Sequence, residues 1–185
     1  MNEYPSSPPT TFSFRGITAV ILVAAAVLLS STTVWLATAS LSFASTVATC
    51  EGEPATIVGT PEPDDLTGTE GRDVIVALGG NDRIDGLGGN DHICGGDDSD
   101  IINGGAGNDD MDGGDGIDVM DGEAGGDSMD GGNDHDSMDG SAGRDFLNGG
   151  GDNDFLDGGT DTDAGNGGPG FNACVNLETE ANCQA

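Results

Sequence analysis

A nine-residue period running through residues 59–175 limits this chain to very few folds. Stepping by nine from Gly59 gives Gly68, Ala77, Gly86, Gly95, Gly104, Gly113, Gly122, Gly131, Gly140, Gly149, Gly158 and Gly167, with Ala77 the one exception. The sixth position reads Asp64, Asp73, Asp82, Asp91, Asp100, Asp109, Asp118, Asp127, Asp136, Asp145, Asp154 and Asp163, then Asn172. The eighth reads Leu66, Ile75, Ile84, Ile93, Ile102, Met111, Met120, Met129, Met138, Leu147 and Leu156, then Gly165 and Cys174. Thirteen units share this register without insertion or deletion. A disordered acidic segment would hold its acids in blocks and scatter its apolar residues. Eleven consecutive large apolar residues in one register exclude that reading.

Each unit places six residues rich in Gly and Asp before three residues centred on an apolar one. Gly supplies the left-handed conformations of tight turns. Three residues make a very short strand, in which neighbouring side chains face opposite ways. The eighth residue then points inward, and the seventh and ninth point outward. Two units close one coil with a strand on each side, and coils stack with strands about 4.8 Å apart. Units two apart lie over one another. Ile75, Ile93, Met111, Met129 and Leu147 form one apolar column, and Leu66, Ile84, Ile102, Met120, Met138 and Leu156 form the other. Thr56-Ile57-Val58 fits one step earlier and starts the stack. The pattern predicts an all-β protein, a right-handed parallel β-solenoid with two nonapeptides per coil.

One inward apolar side chain per unit offsets only part of the entropy lost in ordering nine residues. The turns need another source of stability. The same stacking sets Asp73 beside Asp91, Asp91 beside Asp109, and Asp109 beside Asp127, pairs that repel when unneutralised. A hard divalent cation reverses that sign. Calcium takes six to eight oxygens at about 2.3–2.6 Å, and two carboxylates with turn carbonyls supply them. Magnesium demands stricter geometry and holds its waters. Zinc is disfavoured by the lack of paired His or Cys ligands. Asp64 through Asp163 at position six are the expected ligands, allowing up to ten pairs two units apart. Position four carries Asp98, Asp134, Asp152 and Asp161 in four units, where Gly is the better turn residue, so those sites are expected to be weaker. Glu62 and Pro63 disturb the first turn, and Gly165 and Asn172 mark decay of the pattern at the other end.

Segments such as Gly104-Gly105-Ala106-Gly107-Asn108-Asp109-Asp110-Met111-Asp112 resemble the RTX (haemolysin-type) nonapeptide, Gly-Gly-x-Gly-x-Asp-x-apolar-x. The resemblance covers about residues 59–175. It implies a parallel β-roll holding several calcium ions between adjacent turns.

The chain has 185 residues with 34 acidic side chains, four Arg and no Lys, a formal charge of −30. That charge excludes nucleic acid as a partner and disfavours anionic membrane surfaces. Outward acids at position nine, Asp112, Asp121, Asp130, Asp139 and Asp157, read as solvated ladders that resist edge aggregation.

Residues 1–44 differ from the rest. Arg15 precedes an apolar stretch from Ile17 to Leu29, followed by the small residues Ala37-Thr38-Ala39 and Ser42-Phe43-Ala44. This reads as a secretory signal peptide, or as a retained N-terminal membrane anchor if the apolar stretch continues through Val34-Trp35-Leu36. Residues 45–58 form an N-terminal cap, 59–175 the roll and 176–185 a C-terminal cap. The body is expected to be extracellular, or anchored at the cell surface. Four cysteines suit an oxidising compartment. Of three pairings, Cys50–Cys94 and Cys174–Cys183 each tie an irregular end to the repeat body.

No enzyme is expected. His92 and His135 are the two histidines, both at outward or turn positions, and neither His-Glu-x-x-His nor Gly-x-Ser-x-Gly occurs. The Met residues from Met111 to Met138 are core filling. RTX proteases and toxins leave through a dedicated transporter using a C-terminal signal, whereas this chain has an N-terminal leader and a cysteine-closed tail. The leading expectation is an exported calcium-binding protein that folds on meeting external calcium. A surface or matrix interaction protein, and a non-catalytic accessory to a secreted hydrolase, are the alternatives.

Overall fold

The computed structural model describes residues 47–184. The leader expected over residues 1–44 lies outside the described residues. The described chain opens with an antiparallel hairpin, β1 (Thr49–Cys50) and β2 (Glu53–Pro54). Strands then alternate between two parallel eight-stranded sheets. The first sheet holds β3 (Ile57–Val58), β5 (Val74–Gly79), β7 (His92–Asp97), β9 (Asp110–Asp115), β11 (Ser128–Asn133), β13 (Phe146–Asn148), β15 (Ala164–Asn166) and β17 (Thr179–Ala181). The second holds β4 (Asp65–Thr67), β6 (Arg83–Asp85), β8 (Ile101–Asn103), β10 (Val119–Asp121), β12 (Ser137–Asp139), β14 (Phe155–Asp157), β16 (Asn172–Val175) and β18 (Cys183–Gln184). Each strand pairs with the one two units on, so Met111 faces Met129 and Met120 faces Met138 in register. The described residues form a parallel β-roll, and no helix occurs among them. None is therefore long and apolar enough to cross a membrane.

The two apolar columns meet between the sheets. From Ile75 to Leu156 every position-eight side chain is at most 1% exposed. Ile57, Leu66, Cys174 and Leu177 close this core at its ends. Gly165 leaves a gap in its column, and Leu177 from the tail fills it: a Cβ on Gly165 would strike Leu177 Cδ1. The last coil is therefore completed by residues outside the repeat, with β17 and β18 adding one strand to each sheet.

At the other end, the β1–β2 hairpin covers the outward face of the first sheet. Val74 and Val76, at positions seven and nine, would otherwise be exposed; they are buried with Cys50 against Ala48, Ala55 and Cys94. Disulfides join Cys50 to Cys94 and Cys174 to Cys183, with Cα separations of 5.7 and 5.6 Å.

Most turns fall into two conformations, with Gly80 at a φ of 100° and Gly71 outside both. Where position four is Gly89, Gly107, Gly116, Gly125, Gly143 or Gly170, its φ lies between 136° and 150°, a region that only Gly enters readily. Asp98, Asp134, Asp152 and Asp161 instead take φ of 69–88°, the ordinary left-handed region that Asp tolerates.

Candidate metal sites in the turns

The position-six aspartates point into the turns, and among the described residues those from Asp73 to Asp163 are buried. Their two oxygens are used differently. Each backbone N–H from Asp64 to Asp154 donates to the Oδ1 of the residue eighteen positions on, at 2.7–3.0 Å. The carboxylates thus form two interleaved ladders, one under each row of turns. Oδ2 has no hydrogen-bond partner in Asp82, Asp91, Asp100, Asp109, Asp118, Asp127, Asp136, Asp145, Asp154 and Asp163. A buried carboxylate oxygen without a partner carries the full cost of its lost hydration.

A second oxygen accompanies the orphan in the units from Gly86 to Gly149. The Cβ that Gly140 lacks would lie 2.6 Å from Asp145 Oδ2 and 2.9 Å from the carbonyl of Gly158. At Gly131 the corresponding distances are 2.5 Å to Asp136 Oδ2 and 2.8 Å to the Gly149 carbonyl. From Gly86 to Gly149, position one favours glycine because a carboxylate and a carbonyl from the next coil converge on the space a side chain would occupy. Hard oxygens converging on one buried point fit calcium.

Burial pushes Asp100, Asp127 and Asp136 up to about 7 and Asp118 up to about 6, against the opposing effect of the N–H each accepts. Burial also raises Asp82, Asp91, Asp109, Asp145, Asp154 and Asp163. These carboxylates favour a proton or a cation over bare charge.

The ends of the ladders differ from the middle. Asp64 Oδ2 accepts from the backbone N–H and hydroxyl of Thr60, at 2.6 and 2.9 Å. Asp73 Oδ2 likewise accepts from the N–H and hydroxyl of Thr69, at 2.7 and 2.8 Å. Burial works to raise Asp73, but the hydrogen bonds from Thr69 and Thr56 win and hold it below the usual carboxylate value. These two expected ligands already have donors from their own chain. At the far end, Asn172 Oδ1 continues one ladder, and its amide donates to the carbonyls of Gly167, Gly168 and Asn182. The other ladder ends at Glu178, whose Oε2 accepts the Asp163 N–H at 2.6 Å.

Thr60, Thr69 and Glu178 complete the ladder ends without being announced by the repeat pattern, whereas Asn172 stands in register at position six. Both threonines stand at position two, a site most other units give to Gly. Glu178 lies outside the register and carries no such signal. The outward acids at position nine do form ladders: Asp112 pairs with Asp130, and Asp121 with Asp139.

Fold and turns together define a β-roll whose coils present buried oxygen donors to a hard cation. The profile of the RTX calcium-binding nonapeptide repeat, four copies long, matches in overlapping stretches from residues 58–93 to 139–172, and the chain belongs to that family. Calcium is the ion of that repeat, and it fits the donors in these turns. No curated protein matches the chain.

Proposed function

We propose that this chain is an exported protein that folds when its turns take up calcium outside the cytosol, and that it has no catalytic activity of its own. The observation carrying this reading is the row of ten buried, unpartnered Oδ2 atoms from Asp82 to Asp163. Bound calcium supplies the positive charge that lets these carboxylates remain ionised while buried. The chain's own residues do the rest. Oδ1 of each aspartate orders the preceding turn, position-one glycines leave the space open, and the apolar columns fix the spacing of the coils.

Because binding free energy becomes folding free energy, the body stays expanded where free calcium is low. An affinity of roughly 10⁻⁴–10⁻³ M, the class of extracellular modules, would match that use. The two disulfides support an oxidising compartment. The test is far-UV circular dichroism of the full chain during calcium titration, with a coil-to-β change expected. Identical spectra in calcium and in EDTA would refute the reading. Mass spectrometry of the mature N-terminus separates a cleaved leader from a retained one.

A second reading, a rigid module for a cell-surface or matrix partner, is supported by the outer faces. Ile101 and Val119 are register neighbours and each is 49% exposed, with Phe155 further along the same sheet. Binding to such a partner would disappear with chelator.

A further inference from the structure

One cluster of metal-ligating side chains lies on the outward face of the first sheet, next in the chain to the turn residues Asp91 and Asp109 but not pointing into the turns. His92 and Asp110 both occupy position seven, on β7 and β9, and are direct partners in parallel register. Position seven faces outward, so imidazole and carboxylate share one face of the first sheet. The cap hairpin brings a third group to them. Glu51 follows Cys50, and the Cys50–Cys94 disulfide fastens the hairpin to β7 two residues from His92. A carboxylate oxygen from each of Glu51 and Asp110 and a ring nitrogen of His92 all lie within 4.8 Å of one another. Independently, His92 Nδ1 is sealed from solvent and has no hydrogen-bond partner. Beside the cluster lies the apolar patch of Cys50, Val74 and Val76, and Val74 is the register neighbour of His92 on β5.

A sealed imidazole nitrogen without a partner is costly, and two adjacent carboxylates repel. A shared cation removes the repulsion. The donor set of one imidazole nitrogen and two carboxylate oxygens differs from the all-oxygen turns. Imidazole with carboxylate suits zinc and its first-row neighbours, whereas calcium takes oxygen. We propose that Glu51, His92 and Asp110 form a surface site for one zinc-class divalent cation, separate from the calcium turns and assembled when the Cys50–Cys94 disulfide closes. The bound ion would staple the N-terminal hairpin to the roll. The repeat pattern assigns His92 no such role, because Glu51 lies outside the repeat and reaches it only through the fold.

The test uses the full chain saturated with calcium, so that the turn sites are already filled. Cobalt(II) is titrated as a visible-absorption probe and zinc by calorimetry. The expected result is one saturable cobalt band that zinc displaces and excess calcium does not. His92→Gln and Glu51→Gln should each weaken zinc by at least about tenfold, the low end of what loss of even a supporting partner costs a metal site. His135→Gln should leave it unchanged, and all three variants should keep the calcium-induced dichroism. A variant-free readout is the imidazole nitrogen resonances on zinc addition: His92 should shift and His135 should not. Absence of a saturable band, wild-type affinity in His92→Gln, or an unmoved His92 resonance would overturn the proposal.

Discussion

The position-six aspartate divides its work between two oxygens, one spent on the neighbouring turn and one left without a hydrogen-bond partner. This division sets the response to pH. Asp100, Asp127 and Asp136 sit near 7 and Asp118 near 6 in the metal-free fold, all above their unfolded value. A carboxyl raised in this way binds more protons folded than unfolded. Its contribution is complete below the unfolded value of about 4 and is lost as pH rises through about 7. In EDTA the roll is therefore expected to gain β dichroism as pH falls from 8 toward 4, while calcium affinity weakens over the same range. A metal-free chain equally unfolded at both pH values would contradict this. The glycines make a second residue-scale prediction. Gly140→Ala puts a methyl between Asp145 Oδ2 and the Gly158 carbonyl, so calcium titration of this variant should show a lost site and a higher midpoint. Leu87 works the other way: it is 40% exposed and holds a φ of 69°. Leu87→Gly relieves a conformation costing a leucine about 1–2 kcal/mol, and the calcium-loaded variant should melt higher.

At the level of strands and turns, what was legible in the sequence is what repeats. The register of position eight placed Ile75 over Ile93 and Met120 over Met138, because a period of nine with two units per coil leaves no freedom in the pairing. The expectation of decay at Gly165 and Asn172 described the pattern but not its repair. Leu177 fills the gap at Gly165, and the Asn172 amide donates to turn carbonyls. The filling by Leu177 and the Asn172 bond to Asn182 depend on where a non-repeating tail folds back, which the sequence does not show, whereas the Asn172 bonds to Gly167 and Gly168 stay within its own unit. The burial of Val74 and Val76 was hidden for the same reason: alternation sends them outward, and only the disulfide-held hairpin covers them. Leu177→Ala tests the repair. It should cost about 2 kcal/mol or more, in the range of large-to-small core changes, read as a lower melting temperature in calcium. A loss within experimental error would mean that Leu177 is dispensable to the last coil.

For the whole molecule, stacked coils touch only their neighbours, so stability propagates along one axis as in other solenoids. Replacing Asp118 with Ala removes a rung from the centre of one ladder: the Asp100 N–H loses its acceptor and the adjoining calcium turns lose a carboxylate. The calcium-induced transition is expected to broaden or split, because the flanking coils no longer support each other. The equivalent change at Asp64, whose Oδ2 is already satisfied by Thr60, should leave the transition sharp. Equal effects of the two substitutions, followed by dichroism during calcium titration, would argue against nearest-neighbour coupling.

The two tips of the roll supply their own hydrogen bonds through Thr60, Thr69, Asn172 and Glu178, and each is fastened by a disulfide. Demand for the ion runs from Asp82 to Asp163 and is strongest from Asp100 to Asp136, where burial pushes the carboxyls highest. Stripping calcium would therefore loosen this rod from its middle, leaving two knotted ends joined by slack chain, and a protease added in chelator should make its first cuts between them.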